Sequence, residues 1–208
     1  MSALKKHTIS NKNRILIAVA SILLLSAFIF PLWQIRLEAP QYPEGLGLNI
    51  WVNTVRSLHP HNIKTINDLN HYVGMKPIVP TSIPELTFMP YLLMALFILG
   101  ITAAMTGKRS VVAGWVIAFA GLAVAGLIDF YKWEYNYGHN LNPKAPIKIP
   151  GMSYQPPLIG SKQLLNIHAT SIPYIGGIAV AIAFGVGIYV LMKEYRKNKR
   201  YGELVNAR

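Results

Sequence analysis

Four long apolar runs constrain this chain more than any other feature of its sequence. Each holds roughly 20 residues, the length that crosses the hydrocarbon core of a bilayer as a helix. Charged residues make up only 13% of the chain, about half of their usual share of about 25% in a soluble domain. The sequence therefore predicts an integral membrane protein. The predicted transmembrane helices cover residues 14–35, 89–106, 111–130 and 173–192.

The first of these runs is predicted to be an uncleaved anchor. It is long for a signal peptide, and no small-x-small cleavage site precedes the polar region that follows it. Pro31 and Trp33, near its end, fit a helix terminus at the membrane–water interface, where tryptophan is favoured.

The net charge of +12 raises the question of nucleic-acid binding, and the distribution of that charge argues against it. Basic residues gather before the first run, in the turn at 107–110 and after the last run, which are the positions filled under the positive-inside rule. Residues 1–13 and 193–208 are therefore predicted to be cytoplasmic tails. Residues 36–88 and 131–172 are predicted to be outside loops.

The predicted fold class is all-α, with four transmembrane helices and two long, mostly irregular loops that fold together. In the first loop, the alternation across Leu48–Asn53 indicates a short strand. Asn67 or Asp68 is predicted to cap a short helix that Gly74 ends. In the second loop, Ser161–His168 is predicted to form a short helix.

Glycines in the third and fourth runs predict close helix packing, because small residues let transmembrane helices approach one another. The glycines concerned are Gly114, Gly121, Gly126, Gly176, Gly177, Gly185 and Gly187.

The chain has no cysteine, which excludes disulfides, Cys-ligated zinc, iron–sulfur clusters and covalently attached haem. None of the six histidines lies well inside an apolar run. This argues against a membrane b-type haem, whose axial ligands usually lie within the helices. Phosphate-binding loops and hydrolase motifs are missing from the sequence, so no enzymatic activity is predicted.

The stretch Asn67–Met75 is the strongest candidate for chemistry. His71 and Met75 are four residues apart and share one face if the stretch is helical. Imidazole and thioether ligands together suit copper. The alternative is that both are packing residues of a folded loop. The second loop offers two further candidate ligands, Met152 and His168. The first loop offers two weaker ones, His59 and His61.

Three loop motifs resemble a known family. They are Ala39-Pro40-Gln41-Tyr42-Pro43-Glu44-Gly45-Leu46, Ile66–Met75 and Pro156–Asn166. They are similar to the NosB-like polytopic membrane proteins encoded beside nitrous oxide reductase in gene clusters of the Bacteroidota type. The resemblance covers both loops and the four-span plan. It implies a bacterial inner membrane, periplasmic loops and a role around a copper enzyme, with no catalytic residues to carry over.

Three functions stay open at this point. The first is a non-enzymatic accessory protein that handles copper or docks nitrous oxide reductase or its copper-delivery proteins. The second is a membrane anchor that passes electrons from quinol to a periplasmic reductase, and the third is a purely structural scaffold. Copper is the expected cofactor, haem is not, and the bilayer is an expected partner. The predicted interaction surface comprises Tyr42, Glu44, Asn67, Asn70, Tyr72, Glu85 and Asn166.

Overall fold

A computed structural model describes residues 8–206 of the chain. Residues 1–7 of the predicted N-terminal tail and 207–208 of the predicted C-terminal tail lie outside the described residues. The helices are α1 (Asn11–Leu23), α2 (Asn62–Val73), α3 (Glu85–Thr106), α4 (Arg109–His139) and α5 (Ile175–Asn206), with 3-10 helices at Leu24–Phe28 and Pro80–Ser82. The strands are β1 (Trp33–Ala39), β2 (Tyr42–Ile50), β3 (Val55–Ser57), β4 (Gly160–Leu164) and β5 (Ile167–Pro173).

Four helical segments among the described residues are long and apolar enough to cross a membrane, judged by length and composition. This agrees with the prediction of a membrane protein. The segments are Asn11–Phe28, Glu85–Thr106, Arg109–His139 and Ile175–Lys197.

The predicted all-α fold class is wrong, because the segments between these helices build a five-stranded antiparallel sheet. The strand order is β3-β2-β1-β5-β4. The central strand β1 pairs with β2 on one side and with β5 on the other, so both inter-helix segments contribute to one sheet. Pairing on both edges satisfies the backbone groups of β1, which a helix would otherwise satisfy within itself.

The start of the sheet lies inside the first predicted span. Helix α1 and the 3-10 helix after it end at Phe28, and Trp33–Ala39 is extended. Pro31 lacks a backbone N–H and cannot continue a helix. Beyond it, apolar and polar residues alternate with the period of a strand, a pattern that the apolar run obscured.

Two local predictions in the loops are corrected as well. Helix α2 begins at Asn62 rather than at Asn67 or Asp68, although Gly74 does end it, in a left-handed conformation with φ of 84°. The predicted helix over Ser161–His168 is instead the β4–β5 hairpin. Leu165 has a positive φ of 57° at its turn, which suits a tight turn and not a helix.

The described residues fall into two compact units. One comprises Ala27–Pro90 and Val124–Gly177 and contains the sheet; we call it the sheet unit. One face of its sheet packs against α2, the segment that follows α2 and the last turns of α4. The core side chains are Ile35, Leu46, Leu48, Val55, Ile66 and Ile78, flanked by Trp33, Phe130, Trp133 and Tyr137 among others.

The other unit, which we call the helical unit, comprises the chain through Ser26, Tyr91–Ala123 and the part from Ile178. Its centre is the fully buried Trp115, whose indole N–H donates to the Leu96 carbonyl at 3.0 Å. A Cβ at Gly187 would lie 2.9 Å from the Trp115 ring, so this glycine is needed for close packing. By contrast, a Cβ at Gly114, Gly121, Gly126 or Gly185 would meet no atom within 4 Å, and these glycines make no close packing contact among the described residues.

Candidate functional site

The sheet of the sheet unit presents one apolar and one polar face. Ile35 and Leu37 of β1 point into the core, so the alternating residues Arg36 and Glu38 point to the opposite side. The residues that pair directly with them on β5 share that side. We call this surface the polar face, and it comprises Arg36, Glu38, Ser161, Gln163, His168 and Thr170.

His168 occupies the middle of the polar face. It pairs with Glu38 on one side and with Gln163 on the other. The neighbouring row consists of Arg36 and Thr170, followed by Ser161, whose hydroxyl lies 3.1 Å from that of Thr170. Arg36 is exposed and makes no side-chain hydrogen bond or ion pair with the residues that the structure describes. The face thus displays a cation that has no partner in the described part of the chain.

Two hairpin turns meet at one end of the sheet. The Asn166 side chain in the β4–β5 turn donates to the Gln41 side chain in the β1–β2 turn at 3.2 Å. Tyr42 follows this turn and pairs with Ala39 across an irregularity in the strand register. Glu44 is exposed on β2. Of the predicted interaction surface, Tyr42, Glu44 and Asn166 therefore lie on neighbouring strands and turns of this sheet.

Other members of that predicted surface hold α2 and the chain after it together. The Asn67 side chain exchanges two hydrogen bonds with the backbone of Ile78, and the Asn70 side chain donates to the Lys76 carbonyl. Both asparagines therefore have structural partners. Tyr72 is 52% exposed. Glu85 begins α3, where an acid interacts favourably with the helix dipole.

The predicted copper ligands have a different arrangement from the one expected. His71 is exposed on α2, but Met75 lies beyond the left-handed Gly74 and outside the helix, so the two do not share a helical face. The segment that leads to Met152 runs beside the end of α2, because the Ile147 N–H donates to the Tyr72 carbonyl at 2.9 Å. His168 lies on β5, on the polar face.

The weaker candidates His59 and His61 are both exposed, and His61 has a left-handed backbone at the start of α2. Within residues 8–206, no group of three or more His, Asp or Glu side chains is arranged to hold a metal ion. The predicted set of His71, Met75, Met152 and His168 comes from α2, the chain beyond it, the irregular segment before β4, and β5.

Glu134 was not predicted from the sequence as a site residue, yet it is unusual among the polar residues that the structure describes in the sheet unit. Its side chain is fully buried, and neither carboxylate oxygen has a hydrogen-bond partner among the described residues. Burying such a group without a partner costs free energy. Residues that break this rule tend to occur at functional sites. The only sequence signal is an acid within an otherwise aromatic stretch, Phe130–Tyr137.

The surroundings of Glu134 are well defined on one side. Gly138, one helical turn later, lies on the same face of α4. It contacts the backbone of Gln155. The Gly138 carbonyl accepts a hydrogen bond from the Tyr154 N–H at 3.0 Å. The Tyr154 hydroxyl is also buried and without a partner in the described part of the chain. A buried carboxyl group in this position could hold a proton or bind a small cation.

Replacing Glu134 by leucine is expected to stabilise the protein by at least about 1 kcal/mol, because it removes a buried polar group that has no partner. Thermal or denaturant unfolding of the detergent-solubilised protein measures the change. Glu44→Leu, at an exposed position, serves as the control and is expected to have little effect. Destabilisation by Glu134→Leu would mean that the carboxyl group has a stabilising partner.

A second buried carboxylate, Glu194 in the helical unit, was also missed. One oxygen accepts from the Asn13 side chain at 2.6 Å and from the Ser10 N–H at 3.1 Å, and the other accepts from Arg109 at 3.1 Å. Two of these bonds come from the start of α1 and the third comes from the start of α4, so the carboxylate connects both helix starts to α5. Both oxygens of Glu194 are therefore hydrogen-bonded, in contrast to those of Glu134, although Asn13 Oδ1 and Arg109 Nε of the same network have no partner among the described residues.

Comparisons with known proteins add no family to this description. No protein-family model matches the chain, and a search of curated proteins found no match.

Proposed function

We propose that this chain is a membrane-anchored accessory protein, without catalytic activity of its own, whose sheet docks a soluble partner. The partner that we propose is nitrous oxide reductase or one of its copper-delivery proteins, outside a bacterial inner membrane. The resemblance of the three loop motifs supports this choice of partner. The four apolar helices support the anchoring role.

The pairing of β1 with β5 is the observation that carries the proposal. Six residue pairs join these strands, from Trp33 with Pro173 to Glu38 with His168. Strands from both inter-helix segments thereby form one folded surface. Irregular loops would need to be ordered on binding at a cost in conformational entropy, whereas a preformed sheet largely avoids that cost.

The polar face is the docking surface that we propose. Arg36 lies on this face on β1, the central strand of the sheet, and is exposed without a side-chain partner among the described residues. Arginine is enriched among the residues that dominate binding energy at protein interfaces. At the rim, the edge strand β4 adds exposed Ser161 and Gln163 side chains. Its outer edge has backbone groups that a partner strand can pair with.

Copper handling by His71, Met75, Met152 and His168 stays a prediction from the sequence. One observation favours copper handling, namely that residues 142–147 run beside α2. The backbone N–H groups of Asn142 and Ile147 donate to the carbonyls of Gly74 and Tyr72 respectively. This places the second segment next to the end of α2 that carries His71. Docking has the stronger support, since its residues already share one surface.

The test uses interferometry to measure binding of the full-length protein in nanodiscs to purified nitrous oxide reductase and to its copper-delivery proteins. Arg36→Glu is expected to weaken the interaction about tenfold, which corresponds to about 1.4 kcal/mol. Lys64→Glu makes a similar charge change on α2, behind the opposite face of the sheet, and should leave affinity unchanged.

Two results would contradict the docking proposal, namely no binding to any of these proteins, or equal weakening by Arg36→Glu and Lys64→Glu. The same preparation titrated with Cu(I) tests the copper prediction separately. Unchanged copper stoichiometry in a His71→Ala, Met75→Ala double variant would show that these two residues do not bind the metal.

A further inference from the structure

A shallow groove lies between α1 and α3 in the helical unit. Its volume is about 240 Å³, and five of its six lining residues are apolar. The sixth, Arg14, lies near the start of α1 and beside the end of α3. The lining residues are Arg14, Ile15, Ala18, Ile101, Ala104 and Met105.

The groove has a charged end and an apolar end. The Arg14 guanidinium donates to the carbonyls of Ala104 and Met105, near the point where α3 ends at Thr106. Ala18, one turn after Arg14 on α1, and Ile101, one turn before Ala104 on α3, lie at the other end of the groove. Because α1 and α3 belong to segments apolar enough to cross a membrane, the charged end corresponds to a membrane–water boundary and the apolar end to the hydrocarbon region.

Arg14 has no acidic partner among the side chains that the structure describes. Arg14 uses two hydrogen bonds to carbonyls, which carry no formal charge, and a guanidinium has five N–H donors. The chain turns beside it at Gly107, whose added Cβ would lie 3.1 Å from the Arg14 side chain, and the next residue is the exposed Lys108. Glu194, an acid of the same unit, already forms an ion pair with Arg109.

We propose that this groove binds one anionic phospholipid. Its phosphate would contact Arg14 and Lys108, and one acyl chain would lie along Ala18 and Ile101. A zwitterionic lipid has the same chains but no net negative charge, so the basic end of the groove favours the anionic one. An Ala side chain at position 18 leaves room for the acyl chain that a larger side chain would fill.

The test is native mass spectrometry of the full-length protein after reconstitution with equal amounts of phosphatidylglycerol and phosphatidylcholine. One phosphatidylglycerol is expected to be retained about thirtyfold more often, the scale expected for two cations near anionic lipid. Lys108→Gln should reduce this preference, and Ala18→Leu should reduce retention of both lipids. Ala118→Leu, exposed on α4 outside the groove, is the matched control. Arg14 is left intact because it also binds the end of α3.

Equal retention of the two lipids by the unmodified protein would overturn the proposal. So would unchanged retention in both Lys108→Gln and Ala18→Leu, or an equal loss in Ala18→Leu and Ala118→Leu. Melting curves for each variant show that a change in lipid retention does not come from unfolding.

Discussion

Glu194→Ala is expected to destabilise the helical unit by about 3 kcal/mol, the lower part of the range for breaking a buried ion pair. The lower part applies because water reaches Arg109, whose side chain is 24% exposed, while that of Glu194 is 4% exposed. The variant leaves Arg109 without its counter-charge. It also leaves the Asn13 amide and the Ser10 N–H without their acceptor.

Unfolding of the detergent-solubilised protein by heat or denaturant measures this loss. Glu194→Gln keeps an acceptor for Asn13 but loses the charge, so its stability is expected to fall between those of the wild type and the alanine variant. Lys193→Ala, at the exposed neighbouring position, should be close to neutral. Equal stability of Glu194→Ala and Lys193→Ala would show that the network contributes nothing to folding.

Gly138→Ala is expected to destabilise the sheet unit, because the added Cβ would lie 2.3 Å from the backbone nitrogen of Gln155 and 2.5 Å from its Cα. Backbone atoms cannot move aside as a flexible side chain can. The segment would have to shift, and the hydrogen bond from Tyr154 to the Gly138 carbonyl would weaken.

Gly126→Ala is the matched control on the same helix, since nothing lies within 4 Å of its added Cβ. Both substitutions gain up to about 1 kcal/mol from the better helix propensity of alanine. The difference between them therefore isolates the steric cost, for which we expect about 2 kcal/mol. A Gly138→Ala variant as stable as Gly126→Ala would mean that residues 154–155 do not pack on α4 as described.

The four apolar helices could be predicted because hydrocarbon thickness sets a length that a sequence displays directly. The sheet could not be predicted in the same way. The alternation that marks β1 begins at Trp33, within reach of an apolar run, and the run was assigned whole to a helix. Strand pairing between β1 and β5 depends on residues far apart in sequence, and no local pattern encodes it.

The candidate residues also differ in whether a local sequence pattern or only the folded chain identifies them. Asn67 and Asn70 stood out as polar residues in a motif, and the structure shows them bound to the backbone of the following segment. Arg36 was not singled out, because only the sheet register places it on the same face as His168 and Thr170. Glu134 was missed because burial and lack of a partner are properties of the folded chain.

The pairing of β1 with β5 also sets an order of events during synthesis. Residues 167–173 leave the ribosome roughly 130 residues after β1, with α3 and α4 made in between. At 5–20 residues per second, one edge of β1 waits roughly 7–26 seconds for its partner. A nascent chain with an unpaired central strand is open to wrong pairing with other chains. A truncation before residue 167 would make that state permanent, so β5 is required for the N-terminal strands to complete their sheet.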